Sequence, residues 1–297
     1  DEHPDHNEDA IMQSPEKGIF GIFDGMGGMA AGEVASGIAR DFVGNQLLEM
    51  PANVTAQEAT ETIRKNLLEA NQKILKHVQE NPDHRGMGST ASVVKVFEDG
   101  QAVIGNMGDS RVYIFHPETG QLEQITEDDN IVSKMVKDKT KVAALQRKLD
   151  STTDPESLSG EEQMYFSRRN MIWNALGISE AEPHLYRVSL KKGERVLITS
   201  DGVHDNLTVE EIIDILKKRE DNTAAVEKLV GDSQTRSREK EKNPRAKADD
   251  MSDLVIKFNG GALSPEVQQP KATKEKIEKK EAKKDYLVVG QTVRVKR

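Results

Sequence analysis

The chain has 297 residues, 35% of them apolar and 31% charged, with a net charge of −9. That length holds one large domain or two small ones, the acidic balance argues against general nucleic-acid binding, and no apolar run approaches the ~20 residues that span a bilayer. The absence of cysteine excludes disulfides and thiolate metal sites and fits a reducing, cytoplasmic setting.

In chain order, residues 18–23 form a short apolar run ending at Asp24, the profile of a buried strand. Residues 28–50 show helical spacing, with Val34, Ile38, Phe42, Leu47 and Leu48 on one stripe. A second helix follows Thr55, which with Glu58 forms a capping-box pattern. Its apolar face runs through Ile63, Leu67, Ala70, Ile74 and Val78 until Asn81-Pro82 stops it. A meander comes next: strands over 90–97, 101–107, 111–115 and 121–125, with turns at 98–100 and 117–120.

Residues 127–182 break this regularity. They are polar and charged, with short helical patterns at 141–149 and 168–175, and read as an insertion or flap over one sheet edge. Strands resume at 185–190 and 194–199. Thr208 and Glu211 form another capping box, opening a helix to Lys218, and 223–230 is helical in pattern. Residues 236–247 read as charged loop and 254–258 as the last strand of the body. Helix pairs beside runs of antiparallel strands predict an α+β fold, an antiparallel β-sandwich flanked by helices.

The body is expected to end near residue 259. Residues 260–284 read as a charged linker, and 285–297 as the start of a small β module that stops short. Ten Lys/Arg against four Asp/Glu fall in 271–297, so the acidic excess lies in the body. The chain opens at Asp1 without Met, and no signal peptide is visible, so upstream residues are expected to be missing.

Asp24, in Gly21-Ile-Phe-Asp-Gly-Met-Gly-Gly28, carries the chemistry. Asn7-Glu8-Asp9, Gly108-Asp109-Ser110, Ser200-Asp201-Gly202 and Asp249-Asp250 echo it, each at or beside the end of an apolar run or beside a glycine. Carboxylates at strand ends converge on one edge of a sheet. Hard oxygen donors of that kind suit Mg²⁺ or Mn²⁺. The pattern predicts a metal-dependent hydrolase centre. Asp99-Gly100, by contrast, reads as a plain hairpin turn. Ser89 and Thr90 are expected to bond locally, and the soft thioethers of Met26, Met29 and Met107 to fill space.

Asn7-Glu-Asp-Ala10, Asp24-Gly-Met-Gly-Gly28, Gly88-Ser-Thr90, Gly108-Asp-Ser-Arg111, Thr199-Ser-Asp-Gly202 and Asp249-Asp-Met-Ser252 together resemble the metal-dependent type 2C Ser/Thr protein phosphatases, in their bacterial form. The resemblance covers about residues 5–258. It implies a β-sandwich flanked by helix pairs, in four α-β-β-α layers, with two Mn²⁺ or Mg²⁺ ions at one end. It implies that Asp24 bridges both ions, that the Gly25 carbonyl binds one, and that Asp201 and Asp249 bind the other. Asp24, Asp201 and Asp249 are thus the implied catalytic set. Glu8 and Asp9 would hold metal-bound waters. Asp109, supported by Asp205, would form a third, weaker metal site. The implied reaction is hydrolysis of phosphoserine and phosphothreonine in proteins by a hydroxide shared between the ions, whose charge lowers its pKa. Phosphoprotein substrates and a cognate Ser/Thr kinase are the implied partners.

Two departures stand out. The family usually places a phosphate-gripping arginine three residues before Asn7, and here that residue is Pro4. His3 and His6 are the candidate substitutes in substrate binding. Met26 stands where many eukaryotic members carry histidine, leaving His6 and His204 as candidate general acids. The family also places an opening strand upstream of the first motif, so the chain is expected to be a fragment with an unpaired sheet edge. The alternative function is a silent relative that binds phosphoproteins or a regulator. Loss of the arginine favours it, and three retained carboxylates weigh against it.

Overall fold

Side-chain alternation along the strands divides the interior into layers. In β2 (Ile19–Met26), Phe20 and Ile22 face a second sheet while Ile19 and Phe23 face helices. Gly21 keeps the helix-side face thin, since a Cβ there would lie 3.1 Å from the Met12 side chain. The computed structural model describes residues 7–27, 31–239 and 242–260, and the backbone of 286–289.

The first sheet runs β1 (Asp9–Ser14), β2, β4 (Ala91–Val96), β5 (Gln101–Met107) and β8 (His184–Ser189), with the two-residue β3 (Gly88–Ser89) also paired to β2. The second runs β11 (Tyr286–Val289), β10 (Asp253–Phe258), β9 (Arg195–Thr199), β6 (Arg111–His116) and β7 (Gln121–Gln124). Every pairing is antiparallel. Helices α1 (Ala31–Leu48) and α2 (Ala56–Glu80) cover the first sheet. Helices α7 (Val209–Lys218) and α8 (Asn222–Ser237) cover the second. Three apolar layers result, and the expected four-layer α-β-β-α sandwich is what forms.

The insertion carries its own small core of Val132, Leu149, Leu158, Tyr165 and Phe166. It is built from α3 (Ile131–Met135), α4 (Lys139–Asp150) and α5 (Gly160–Ser167). Buried arginines staple it to the sandwich. Arg111 bonds Asp128 and Asp150. Arg245 donates to the carbonyls of Leu149 and Thr152 on one side, and of His204 and Leu207 on the other.

Several expectations need correction. Strand β1 was not anticipated: Gln13 and Ser14 interrupt its apolar signal, yet it pairs with β2 from Asp9↔Asp24 to Ser14↔Ile19 and forms the sheet's edge. Helix α1 buries Ala35, Ala39, Val43 and Leu47, while Leu48 is exposed and Val34, Ile38 and Phe42 are only partly buried. Small residues let that helix lie close on β2, and the larger ones flank the contact. Residues 168–175 are turn and isolated bridge rather than helix. The helical turn precedes them as α5, started by the Ser159–Glu162 capping box. Helix α8 runs on to Ser237, past the expected start of the charged loop. Residues 286–289, read as opening a separate module, lie along β10 from Val255↔Val289 to Phe258↔Tyr286. The rest of that segment, and the linker from residue 261, lie outside the described residues.

Candidate metal centre

The same alternation that builds the apolar layers sets the site. Asp24 shares the inter-sheet face of β2 with Phe20 and Ile22, one step beyond the end of the apolar run. Asp9, paired directly with Asp24, holds the equivalent place on β1. Asp201 opens the short helix α6 (Asp201–His204) one residue after β9, and Asp249 and Asp250 lie just before β10, separated from it by Met251 and Ser252. One end of the sandwich therefore collects carboxylates from four strand termini. A cleft of about 590 Å³ opens there, with Glu8, Asp24, Asp109, Asp201, Asp249 and Asp250 on its walls.

Backbone contacts fix these groups. The Gly25 N–H donates to the Glu8 carbonyl at 3.1 Å, and the Glu8 N–H donates to Asp250 Oδ2 at 2.7 Å. A Cβ at Gly25 would come within 2.5 Å of the Glu8 carbonyl oxygen and 2.6 Å of the Gly32 carbonyl carbon, so only glycine allows this approach. The Asp24 N–H donates to Thr90 Oγ1 at 3.0 Å, and Thr90 Oγ1 lies 2.7 Å from Ser110 Oγ. Ser200 Oγ donates to Asp9 Oδ2 at 2.9 Å and accepts the Ser252 N–H at 2.9 Å. The Gly108 N–H donates to Asp129 Oδ2 at 3.0 Å, which shapes the turn presenting Asp109.

Burial and mutual repulsion raise these acids. Asp9 is pushed up to about 8, chiefly by burial and then by Asp249 and Asp250. Burial raises Asp201 to about 7, with Lys247 opposing and Asp249 adding. Asp24 and Asp109 stand well above the carboxylate range, again from burial first; Asp9 and Asp201 add to the former and Asp201 to the latter. Asp9 Oδ1 and Asp201 Oδ1 are buried without a hydrogen-bond partner. Hard oxygen donors, raised acids and orphaned oxygens fit divalent cations. As the side chains stand, no three carboxylates or imidazoles among the described residues enclose an ion. An ammonium lies among them instead. Lys247 Nζ contacts Asp201 Oδ2, and is 2.9 Å from Asp249 Oδ2 and 3.7 Å from Asp205 Oδ2.

The remaining expected residues separate. Asp205 sits behind the cleft, where Arg169 Nε bonds its Oδ1 at 3.2 Å. Burial raises its carboxyl, but Arg169 and Lys247 outweigh that and hold it low. His204 does not line the cleft: it is 2% exposed, its Nδ1 lies 2.8 Å from Thr199 Oγ1, and burial keeps the ring neutral. A buried neutral imidazole facing a threonine is not placed as a general acid. His3, Pro4 and His6 lie outside the described residues. Sequence reasoning missed Lys247, because one lysine in a charged stretch looks solvated. It also missed Ser200 and Ser252, whose roles appear only when β9 and β10 pair.

The protein phosphatase 2C family model matches residues 4–232. The serine/threonine phosphatase stp of Listeria welshimeri is 31% identical over 218 residues, 72% of this chain and 79% of that protein. The crystal structure of Stp1 from Staphylococcus aureus aligns with a TM-score of 0.64 at 28% identity, covering 80% of this chain and 86% of that one. The catalytic domain of the phosphatase PstP, solved with two manganese ions, aligns with a TM-score of 0.60 at 27% identity, covering 78% of this chain and 86% of that one. With the family model matched over residues 4–232 and the same sandwich in relatives of known structure, the chain belongs to the protein phosphatase 2C family.

Proposed function

We infer that this chain is a metal-dependent protein serine/threonine phosphatase. The observation that carries the reading is the convergence of Asp24, Asp109, Asp201 and Asp249 on one cleft at the sandwich end, within a chain of this family. Asp24, Asp201 and Asp249 are assigned as the residues that hold the metal, with the Gly25 carbonyl beside Asp24. Mn²⁺ and Mg²⁺ both suit these oxygens, and Asp109, backed by Asp205, is the candidate for a third, weaker ion. When bound, divalent ions supply positive charge to the phosphoryl oxygens and acidify an attacking water.

The chain's own groups do the rest. Asp9, which accepts from Ser200, and Glu8, whose N–H donates to Asp250, are the proposed holders of metal-bound water. The insertion walls one side through Asn170 and Ile172 and narrows access to a phosphorylated side chain. His3 and His6 remain the proposed substrate-binding residues in place of the arginine replaced by Pro4. Residues 1–259 are the proposed catalytic domain, followed by the linker and the terminal strand region.

None of the described helices is long and apolar enough to cross a membrane. A cytoplasmic location and a cognate Ser/Thr kinase are proposed on the composition and on the family. Four converging carboxylates have no use in a binding module, which weighs against the silent alternative. Phosphate release from phosphoserine and phosphothreonine peptides under saturating Mn²⁺ tests the reading. Turnover of both is expected, and no turnover of either would favour the silent alternative.

A further inference from the structure

Lys247 is built into the acidic cleft rather than strayed there. Its N–H donates to Asn206 Oδ1 at 3.0 Å, and its carbonyl accepts from Asn206 Nδ2 at 3.0 Å. Asn206 is itself fully buried and anchored by donating to the Gly202 carbonyl at 2.8 Å. This clamp sets the lysine backbone beside α6, and the side chain, only 16% exposed, reaches in among the acids. Its ammonium uses Asp201 Oδ2 and Asp249 Oδ2, while Asp201 Oδ1 stays buried and unpartnered. Those oxygens belong to the two carboxylates assigned to one of the ions.

We propose that Lys247 is a tethered cation that competes with one divalent ion for Asp201 and Asp249, and so makes the two ions load in sequence at well-separated concentrations. The inference rests on the metal-centre reading above. An ammonium and a divalent ion cannot share the same oxygens at close range without strong repulsion. The other ion, assigned to Asp24 and the Gly25 carbonyl without Asp201 or Asp249, meets less of this competition, because Lys247 acts on Asp24 only through its field and pairs with Asp201 and Asp249 instead. It therefore loads first and tightly. The Asp201/Asp249 ion must displace the ammonium and loads later. The lysine also supplies a neutralising charge to these acids that does not depend on dissolved metal.

Mn²⁺ titration followed by calorimetry and by the EPR signal of free Mn²⁺ tests this on the full chain, with thermal unfolding in chelator alongside. For the parent, two Mn²⁺ are expected with dissociation constants at least tenfold apart. In Lys247→Met the weaker constant should tighten tenfold or more, closing the gap, while the melting temperature in chelator falls. Lys247→Arg, which keeps the charge, should leave the gap open. Lys247→Gln replaces the methionine variant if that one does not fold. A purely structural lysine would lower the melting temperature equally with and without Mn²⁺ and leave the weaker constant unchanged, which overturns the proposal. If neither parent nor variants bind Mn²⁺, the metal-centre reading itself fails. If all bind it with the same constants, only the role of Lys247 fails.

Discussion

Asp128, at the root of the insertion, is paired twice over with Arg111 of β6: Nη2 donates to Oδ2 at 2.7 Å and Nε to Oδ1 at 2.9 Å, with side chains 3% and 2% exposed. The same arginine donates to both oxygens of Asp150 at the end of α4. One guanidinium thus fixes both ends of the first half of the insertion against the second sheet. Next along the chain, Asp129 receives the Gly108 N–H, so the clamp also positions the turn that carries Asp109.

Arg111→Met should therefore be severely destabilising. It leaves two buried carboxylates without a counter-charge, which costs about 3–5 kcal/mol. Urea unfolding of the parent and the variant checks this. A loss below about 1 kcal/mol would show that the arginine is dispensable to the fold.

Asp253 presents the opposite case. It lies on the α8 side of β10, on the face of Val255 and paired with Thr199. It is fully buried, and neither carboxyl oxygen has a partner. Burial alone raises its pKa well above the carboxylate range. Asp253→Val should stabilise the fold by about 1–3 kcal/mol, the cost of an unsatisfied buried polar group. A destabilised variant in the same unfolding assay would contradict this.

These contrasts show where the sequence is legible. The run ending at Asp24 announced both a strand and an acid of the cleft, because apolar burial and a terminal carboxylate leave a local signature. Ile63, Leu67 and Ala70 announced the buried face of α2 in the same way. The face of α1 was misread, because the close approach of helix to sheet selects Ala35 and Ala39 over larger neighbours. Strand β1 was missed because an edge strand needs only half its residues apolar. Lys247, Ser200 and Asn206 were invisible because the contacts that join them to the site, Lys247 with Asp201 and Asn206 and Ser200 with Asp9 and Ser252, span 40 or more positions in the chain, and only the folded sheet ends bring them together.

The pH dependence follows from the raised acids. For Asp9, raised from 3.8 to about 8, and Asp201, raised to about 7, the folded pKa lies above the unfolded one. Their contribution to stability is full below about pH 4 and is lost as pH rises through the folded values. In chelator, the melting temperature should fall between pH 5 and pH 8, and added Mn²⁺ should restore most of the loss. Asp205 and His204 are shifted the other way; the Asp205 contribution is already complete by pH 5, and His204 opposes the fall only up to its unfolded value of 6.5, where the several raised acids outweigh it. A melting temperature that rises with pH across this window in chelator would contradict the account.

Asp24→Asn separates function from stability. It keeps the side-chain shape but removes an acid whose ionisation burial, Asp9, Asp201 and Asp249 all oppose. Turnover should drop at least a thousandfold, while the melting temperature in chelator stays level or rises. Near-parental turnover would mean that the centre is misplaced.

The central claim is that catalysis depends on divalent ions held by Asp24, Asp201 and Asp249. Its most direct test is phosphate release from a phosphothreonine peptide after exhaustive chelation, followed by stepwise return of Mn²⁺ or Mg²⁺. Activity should vanish in chelator and return with added ion. Turnover that persists at the parental rate after metal content has been shown to be below one ion per ten chains would contradict the account.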